Sequence, residues 1–469
     1  MPDEFEFKLE APSAVAGRLL GRPWLRAMAS GPAKQERLRS VYFDTRKFAL
    51  RDHDVALRIR HVGQKRLRTV KANNPGDPFD RREWEEEIGG DEPDRRCAKL
   101  LKKLGLKLAM RRLAPVFETD VQRTVLPIRC DSSDMEIAVD RGNIKTGGRS
   151  EPIGEIEIEL KKGDAAGVAN IAKRIARDLP VGYGAKSKAA RGYALSVGEN
   201  GQPVFASAIA LAADNSVGAA FRVIGLSCLQ HLAGNRDSVG RGDAEGIHQM
   251  RVGVRRLLAA MSIFKGVVDG PECQKIKREL KWLMGELDAA RDLDVLVNDG
   301  LGSLRNSRPG KAGVALLESE LEEKRAKEFA RAKTAVATPR YRKALIDTAL
   351  WLANGDWLRT TDPLIAARRE RPASEFAAEE LSRRAKKIVK KVKRLEDLKP
   401  QQQHKLRIAI KKMRYGCQFF ASLFGGRKAV KTRARLERRL KTLQSALGHL
   451  KISASTSGWP ANMQNPNAA

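Results

Sequence analysis

The residues that decide the fold are Glu4-Phe5-Glu6-Phe7-Lys8, close to the start of the chain. In an extended strand alternate side chains share a face, so the two glutamates and the lysine point one way and the two phenylalanines point the other. Such a pattern is typical of a half-exposed strand whose charged face meets water. The many basic residues that follow it argue for a different interpretation of the charged face.

The same alternation returns at residues 154–161, GEIEIELK, where Glu155, Glu157, Glu159 and Lys161 share one face. If both charged faces point into a closed sheet, their glutamates share a confined space, with Asp140 near them. Confined carboxylates raise each other's pKa unless cations neutralise them. Clustered oxygen ligands favour hard divalent ions, so the pattern indicates a site for Mg²⁺ or Mn²⁺.

The composition indicates a folded protein with a polyanionic partner. The chain has 469 residues, of which 42% are hydrophobic, so two to four domains with buried cores are expected. Its net charge is +32, and residues 201–469 alone hold 50 Lys and Arg against 27 Asp and Glu. Nucleic acid, an anionic membrane and polyphosphate would each satisfy this charge. With only 5% aromatic residues, the chain has few platforms for stacking bases, which disfavours a single-strand nucleic-acid binder.

Cysteine usage and hydropathy indicate a cytoplasmic location. The five cysteines are scattered and form no CxxC pair, which is typical of a reducing compartment and argues against a zinc site. The N-terminus lacks the basic and apolar regions of a signal peptide. The longest apolar run, near 204–213, is too short to cross a bilayer, so we expect no membrane insertion.

The periodicity divides the chain into a β part and an α part. Residues 1–200 contain short alternating segments separated by turn signals, which predict an antiparallel β domain with helices near 94–104 and 165–178. From about Ser207 the period becomes helical and predicts an all-α bundle. The predicted fold class is therefore α+β multidomain. The predicted domains are residues 1–200, residues 205–452 with repeats at about 205–350 and 370–452, and a disordered tail at 453–469.

The helical part carries an internal repeat, in which residues 248–256, HQMRVGVRR, align with residues 404–412, HKLRIAIKK. Each copy has an apolar face for a core and a basic face behind a histidine. Like charges four residues apart, as in Arg251 with Arg255, cost a few tenths of a kcal/mol unless an anion lies across them. The repetition indicates an anion-binding face, and its histidines are better suited to contact phosphate than to act as catalytic bases.

Several motifs of the β part together resemble the CYTH, or triphosphate tunnel metalloenzyme, family. They are Glu4-x-Glu6-x-Lys8, residues 42–45 (YFDT), 57–60 (LRIR), 69–71 (TVK), 81–85 (RREWE), 136–140 (EIAVD), 155–159 (EIEIE) and 187–193 (SKAARGY). The likeness covers nearly all of residues 1–200. It implies an eight-stranded antiparallel tunnel, a divalent metal and hydrolysis of inorganic or related triphosphates.

The same resemblance implies roles for single residues. The implied metal-side residues are Glu4, Glu6, Asp140, Glu157 and Glu159. The implied catalytic residues are Glu4, Glu6 and Lys8. The implied phosphate-binding residues are Lys8, Arg58, Arg60, Lys71, Arg123, Lys161, Lys186 and Arg191.

The repeated motif of the helical part resembles the CHAD domain, which often follows CYTH. Residues 290–295, ARDLDV, match that family as well. The resemblance implies two four-helix bundles that bind inorganic polyphosphate along a basic groove. The implied polyphosphate-binding residues are His248, Arg251, Arg255, Arg256, Lys277, Lys281, His404, Arg407, Lys411, Lys412 and Arg414, with Arg435 and Arg439 in support.

The second repeat departs from the family near the end of the sequence. Alignment of the repeats places Ile452 opposite Asp292, where the family normally has an aspartate. The residues after Leu450 form no amphipathic pattern, so we expect a truncated second bundle and a disordered tail.

Other functions remain open at this stage. The tunnel could be idle in a protein that only binds polyphosphate, or the chain could bind nucleic acid. A tunnel enzyme could also hydrolyse thiamine triphosphate or cyclise ATP. The Glu4-x-Glu6-x-Lys8 motif favours a triphosphatase.

Overall fold

The structure is a computed structural model that describes residues 5–74, 77–300 and 311–456. Its N-terminal part is an antiparallel sheet. The strands are β1 Phe5–Glu10, β2 Lys34–Thr45, β3 Val55–Val62, β4 Lys65–Asn74, β5 Asp77–Glu87, β6 Leu113–Cys130, β7 Ser133–Thr146, β8 Arg149–Lys162 and β9 Gly182–Tyr183. The helices around the sheet are α1 Ser13–Gly17, α2 Pro23–Ala27, α3 Arg95–Lys103, α4 Ala165–Asp178 and α5 Lys188–Val197.

The strand order is β5-β4-β3-β2-β6-β7-β8-β1-β9. The sheet curls, because Cα atoms of β5 at one edge come within 8 Å of β1 near the other. The predicted antiparallel β region is confirmed. It has nine strands in the described part of the chain, whereas the family resemblance implies eight; the additional strand, β9, has two residues and extends the sheet beyond β1.

The apolar face of the first strand packs outward, as its alternation predicts. Phe7 and Leu9 are buried on β1, and Ile156 and Ile158 are buried on β8, where α1 and α4 cover the sheet. A Cβ atom at Gly154 would lie 2.1 Å from the carbonyl oxygen of Ala11, so only glycine allows the chain after β1 to cross β8 this closely. The charged face is thereby left on the inside of the curl.

The two helices predicted within residues 1–200 are confirmed. The side chain of Asp94 caps α3 by accepting a hydrogen bond from the Cys97 amide, and Asp164 caps α4 in the same way through Ala166. Helix α3 then packs Leu101 into a core formed by the strands β2 to β4. These helices close the outer side of the sheet.

The C-terminal part is helical, as predicted. Its helices are α6 Val217–Gly234, α7 Arg236–Gly240, α8 Ala244–Ile263, α9 Lys265–Val268, α10 Pro271–Val295, α11 Lys311–Ala337, α12 Pro339–Asn354, α13 Asp356–Arg359, α14 Pro363–Glu370, α15 Ala373–Val392, α16 Pro400–Phe419 and α17 Arg427–Thr456. A π-helical turn, Leu296–Gly300, follows α10.

The two repeated motifs lie on α8 and α16, and their predicted apolar faces are buried. On α8 the buried residues include Met250, Val254 and Leu257, and on α16 they include Leu406 and Ile410. The shared helical register of the repeat is therefore confirmed.

By packing, the chain divides into two compact units. The first contains Met1–Ala206, Cys228–Val254 and Gly270–Leu358, and the second contains Ser207–Ser227, Arg255–Asp269 and Arg359–Ala469. Segments of the first helical repeat thus belong to both units, and the domain boundaries predicted from the sequence stay predictions. Helix α17 continues to Thr456, into the first residues of the predicted disordered tail. The rest of that tail lies outside the described residues.

One described segment, Val217–Gly240, is long and apolar enough to span a membrane by length and composition. The sequence analysis did not single it out. Of its most apolar window, 72% is buried inside the structure, so its length and composition are only weak evidence for a membrane span.

Candidate active site in the lumen of the sheet

The register of β1 against β8 brings the charged residues of both strands onto the inner face. Glu6 lies opposite Glu159, and Lys8 lies opposite Glu157. Directly opposed residues of an antiparallel pair point to the same side of the sheet. The lumen predicted from the sequence is therefore lined by these side chains, whereas Glu4 lies outside the described residues.

Three carboxylates of β7 and β8 form the centre of the site. Oxygen atoms of Asp140, Glu155 and Glu157 lie within 4.8 Å of one another, and the first two residues are fully buried. Such a set of hard oxygen donors fits a divalent cation. The sequence analysis placed Glu155 on this face but did not assign it to the metal.

Cations surround these carboxylates. Nζ of Lys188 lies 2.8 Å from Asp140 and 3.0 Å from Glu157, and it also bonds to Glu155. Arg123 donates two hydrogen bonds of 2.7 Å to Asp140 and one of 2.5 Å to Glu157. The Lys8 ammonium lies 3.1 Å from Glu157. The buried negative charge is thus compensated by these three basic side chains and by Arg191, which lies 3.1 Å from Glu155.

The pKa values reflect this compensation. Burial alone would raise the pKa of each carboxyl, but the charges of the surrounding cations, Lys188 above all, hold the pKa of Glu157 well below its usual range and those of Asp140 and Glu155 below theirs. Glu6 behaves differently, because the charge of Glu157, and then burial, raise its pKa.

The opposite wall of the lumen is basic. Arg58, on β3, lies 3.7 Å from Glu83 and donates to the Tyr42 hydroxyl at 3.5 Å, and Lys71 on β4 lies 2.5 Å from Glu83. Burial, and then the charge of Arg58, lower the pKa of Arg60 to about 10, and the same two causes lower the pKa of Lys71. Positive charges that depress each other's pKa favour a bound anion.

The two walls act on one another across the lumen. The charge of Glu157 and burial raise the pKa of Glu6 on β1, and the Lys71 ammonium of β4 is one of the charges that partly oppose this rise. Burial alone would raise the pKa of Tyr42 on β2, but the charge and hydrogen bond of Arg58, followed by the charges of Arg60 and Lys188, lower it. The acidic cluster and the basic wall therefore share one electrostatic environment.

Two of the predicted phosphate-binding residues, Lys161 and Lys186, lie away from the centre, whereas Arg191 contacts it through Glu155. Lys161 pairs with Glu159 at 2.5 Å and is 42% exposed. Arg191 donates to Glu151 at 2.7 Å and to Glu155 at 3.1 Å. Lys186 lines a separate small cavity.

Lys188 is the central cation, and the sequence analysis assigned Lys186 instead. A signal for Lys188 was present: Ser187 is a good helix cap, and Lys188 and Arg191 are three residues apart on the helix it starts. In the structure the Ser187 side chain accepts from the Ala190 amide, so α5 begins at Lys188. The start of the helix is what aims this lysine into the lumen.

The middle of α5 is fixed by two contacts. The Tyr193 hydroxyl donates to the buried Asp44 carboxylate at 2.9 Å, and the Tyr193 ring packs edge-on against Phe117 at 5.2 Å. A Cβ atom at Gly192 would lie 2.2 Å from the Phe117 ring. Helix α5 can therefore sit this close to the sheet only with glycine at 192.

Replacement Gly192→Ala is expected to destabilise the protein by about 1–3 kcal/mol, the usual cost of overpacking, and to lower any activity that depends on Lys188. The free energy of unfolding in denaturant measures the first effect. Gly285→Ala is the matched control, because Gly285 lies inside α10 with nothing within 4 Å of an added Cβ. That change should stabilise by up to about 1 kcal/mol through helix propensity. Equal effects of the two changes would contradict the packing role of Gly192.

The predicted polyphosphate-binding residues are not all on an exposed face. Arg251 is buried and pairs with Asp288 at 2.8 Å, and Arg256 is buried beside the Phe419 ring. These two arginines are buried because α8 is packed on more than its apolar side, and their role in binding polyphosphate stays a prediction. His404 is exposed, and Lys412 donates to Ser262 at 3.1 Å.

The remaining members of this set vary in exposure. Lys281 is exposed, and the partly buried ones are His248, Arg255, Lys277, Arg407, Lys411 and Arg414.

The described part of the chain thus combines a curled antiparallel sheet that has a charged interior with a helical region that follows it. Residues 3–193 match the family model of the CYTH domain, and residues 224–457 match that of the CHAD domain. The chain belongs to the family of proteins in which a CYTH domain precedes a CHAD domain.

Individual relatives match parts of the chain. An inorganic triphosphatase from Haemophilus influenzae is 36% identical over 83 residues, which is 18% of this chain and 24% of that protein. The chain thus matches about a quarter of that relative's length. The crystal structure of a CHAD domain from Ricinus communis is 29% identical with a TM-score of 0.44, covering 56% of this chain and 86% of that one. A candidate adenylyl cyclase from Hippeastrum with a dominant triphosphatase activity is 20% identical with a TM-score of 0.30, covering 41% and 95%.

Proposed function

We propose that the chain is a metal-dependent hydrolase of inorganic triphosphate and that its lumen holds the substrate. The observation that carries the proposal is the pairing of a buried carboxylate cluster, Asp140, Glu155 and Glu157, with a basic wall around Arg60. Carboxylates can hold a divalent ion while guanidinium groups bind phosphate oxygens, which is the division of labour that a metal-chelated triphosphate needs. The CYTH match and the name of the partial relative support the same reaction.

The acidic wall would then bind the metal ion, and the basic wall would bind the phosphate chain. Mg²⁺ or Mn²⁺ would be held by the oxygen donors Glu6, Asp140, Glu155, Glu157 and Glu159, with Glu4 proposed beside them. When bound, the ion would neutralise phosphoryl charge and acidify water. The phosphate chain would be gripped by Arg58, Arg60, Lys71, Arg123 and Lys188. Their fixed positive charges would stabilise the charge that builds up as the phosphoanhydride bond breaks.

Substrate binding has weaker support for three of the predicted residues, Lys161, Lys186 and Arg191. Lys161 and Arg191 are held by carboxylates at the margin of the cluster, where they orient Glu159 and Glu155. We therefore propose that Lys161 and Arg191 position acidic residues rather than bind the central phosphate.

Replacement Arg60→Ala is expected to raise the KM for triphosphate at least about tenfold, equivalent to about 1.4 kcal/mol, with a smaller change in kcat. The reason is that Arg60, whose pKa is lowered by burial and by Arg58, donates a hydrogen bond of only 3.5 Å to the neutral Ser40 hydroxyl, so an entering anion supplies a charged partner. Steady-state phosphate release measures both constants. The control is Arg66→Ala, because Arg66 is paired with Asp91 outside the lumen at 2.7 Å. An unchanged KM in Arg60→Ala would contradict the anion site.

A panel of substrates separates the tunnel alternatives. Inorganic triphosphate, thiamine triphosphate and ATP are offered with Mn²⁺ or Mg²⁺, and phosphate and cyclic AMP are measured. We expect the highest kcat/KM for inorganic triphosphate. Cyclic AMP as the main product from ATP, or a preference for thiamine triphosphate, would support the corresponding alternative and contradict this proposal.

We further propose that the helical domain binds inorganic polyphosphate and that the protein is cytoplasmic. The CHAD match supports the first point. Arg407 of α16 is a candidate contact, because this residue is only partly buried and its Nε has no hydrogen-bond partner among the described residues. A buried donor without an acceptor costs about 1–3 kcal/mol, which a phosphate oxygen would recover.

The double variant Arg407→Ala/Arg414→Ala is expected to weaken the binding of long-chain polyphosphate at least about tenfold in calorimetry, a loss of about 1.4 kcal/mol. Lys390→Ala/Lys391→Ala removes the same charge from exposed positions of α15 and should change the affinity about twofold at most, which corresponds to about 0.4 kcal/mol. Equal losses would indicate binding by net charge alone. Bound DNA or RNA that polyphosphate fails to displace at moderate salt would instead support the nucleic-acid alternative.

A further inference from the structure

The geometry points to Arg236 of helix α7 as a positioning residue for strand β1, which it would hold through an ion pair with Glu10. Arg236 belongs to the CHAD region of the sequence and Glu10 to the CYTH region, and both lie in the first compact unit. Only the kinetic consequence of this inference rests on the proposed function. Its structural consequence can be measured on its own.

Strand β1 is held unequally on its two sides. Toward β8 it pairs along its whole length, from Phe5 opposite Leu160 to Glu10 opposite Glu155. Toward β9 only Leu9 and Glu10 are paired in the described part of the chain. The C-terminal end of β1 is therefore the end that joins β8 to β9, so a contact that fixes Glu10 there acts on both pairings.

A displacement of Glu10 would also shift the side chains of β1 that line the lumen. Glu6, Lys8 and Glu10 alternate along β1 and share its charged face. At about 3.3 Å per residue, Lys8 lies only about 7 Å from Glu10 along the strand. A contact that fixes Glu10 therefore also fixes the position of Lys8 along the strand, and with it the contacts of Lys8 with Glu157 and Glu155.

The contact itself comes from helices of the same compact unit. Nη1 of Arg236 lies 3.3 Å from Oε1 of Glu10, and each side chain is 38% exposed. Helix α7, which carries the arginine, packs against α11, and α11 packs against α12. Helix α12 in turn packs against both β9 and α4, so the same group of helices covers this edge of the sheet. An ion pair with this exposure contributes less than about 1 kcal/mol to stability, so its effect should be local rather than global.

A small polar cavity adjoins the pair. It has a volume of about 40 Å³ and is lined by Glu10, Arg236, Lys186 and Tyr341, among others. The Tyr341 side chain is fully buried, and its hydroxyl has no hydrogen-bond partner among the described residues. The volume suits one water molecule, which would link this hydroxyl to the ion pair.

Hydrogen exchange of the full-length chain tests the structural part. Arg236→Gln is expected to speed exchange of the β1 amides, Phe5–Glu10, about threefold and to leave β6 unchanged, with a melting temperature close to that of the unaltered protein. Arg342→Gln is the control, because Arg342 lines the same cavity but donates to the Ala337 carbonyl. The exchanged pair Glu10→Arg/Arg236→Glu should restore slow exchange. Unchanged β1 exchange in Arg236→Gln would overturn the inference, whatever the turnover.

Kinetics test the positioning role. Arg236→Gln should lower kcat for triphosphate about threefold to tenfold with KM within about twofold, and the exchanged pair should recover most of the loss. An unchanged kcat would overturn the role of Arg236 while leaving the proposed function intact. If the unaltered protein releases no phosphate but β1 exchange responds to Arg236→Gln, the proposed function is wrong and the structural coupling stands.

Discussion

Glu157→Gln is expected to lower kcat/KM for triphosphate at least about a thousandfold, which corresponds to about 4 kcal/mol of transition-state stabilisation. Glutamine keeps the shape of the side chain but removes a charge that faces Lys8, Lys188 and Arg123 at 3.1, 3.0 and 2.5 Å. The change also removes an anionic oxygen donor from the carboxylate cluster. Phosphate release with Mn²⁺ and with Mg²⁺ measures the loss, and circular dichroism verifies that the variant is folded.

The matched control is Glu118→Gln. Glu118 is also a strand carboxylate paired with an arginine, but its pair with Arg39 is partly exposed, with side chains that are 30% and 59% accessible. We expect its activity to stay within about twofold of the unaltered protein, or about 0.4 kcal/mol. A folded Glu157→Gln variant with comparable activity would contradict the role of the carboxylate cluster.

The second large effect is expected for Lys188→Ala. The change removes the cation that contacts Asp140, Glu155 and Glu157 together, and loss of one partner of a buried ion pair costs about 3–5 kcal/mol. Because Lys8 and Arg123 remain, we expect the lower end of that range in unfolding experiments. Activity should fall at least about a hundredfold, or 2.7 kcal/mol, since a proposed phosphate contact is lost as well.

Comparison with Lys186→Ala shows which of two neighbouring lysines acts in the site. The sequence analysis assigned phosphate binding to Lys186, whereas the structure places Lys188 among the carboxylates and Lys186 beside another cavity. We expect Lys186→Ala to cost much less activity than Lys188→Ala. An equal or larger loss would favour the sequence-based assignment.

The sequence predicts the inner wall of the sheet well because alternation in a strand is a strict rule. Once Phe7 and Ile156 are recognised as the outer face, Glu6, Lys8 and Glu157 must point inward, and the register of β1 against β8 agrees. The buried apolar faces of α8 and α16 follow from a period of 3.6 residues in the same way. Local periodicity determines these features, so one sequence suffices.

Features that depend on the start of a helix or on distant pairing were harder to predict. The choice of Lys188 over Lys186 depends on where α5 begins, and a shift of two residues turns a helical side chain by more than half a circle. The burial of Arg251 depends on Asp288, which lies on another helix. No periodic pattern in one segment reveals a partner of this kind. The division of α8 between two compact units likewise arises from packing rather than from local sequence.

The central claim is that the lumen hydrolyses triphosphate with a divalent metal. The most direct measurement is phosphate release from inorganic triphosphate by the full-length protein with Mg²⁺ or Mn²⁺, with a chelator, and by the Glu6→Ala variant. The claim predicts turnover with at least one of the two metals, none above background with the chelator, and a loss of at least about a hundredfold in the variant, or 2.7 kcal/mol. No release with either metal, or equal release with the chelator or in Glu6→Ala, would contradict it.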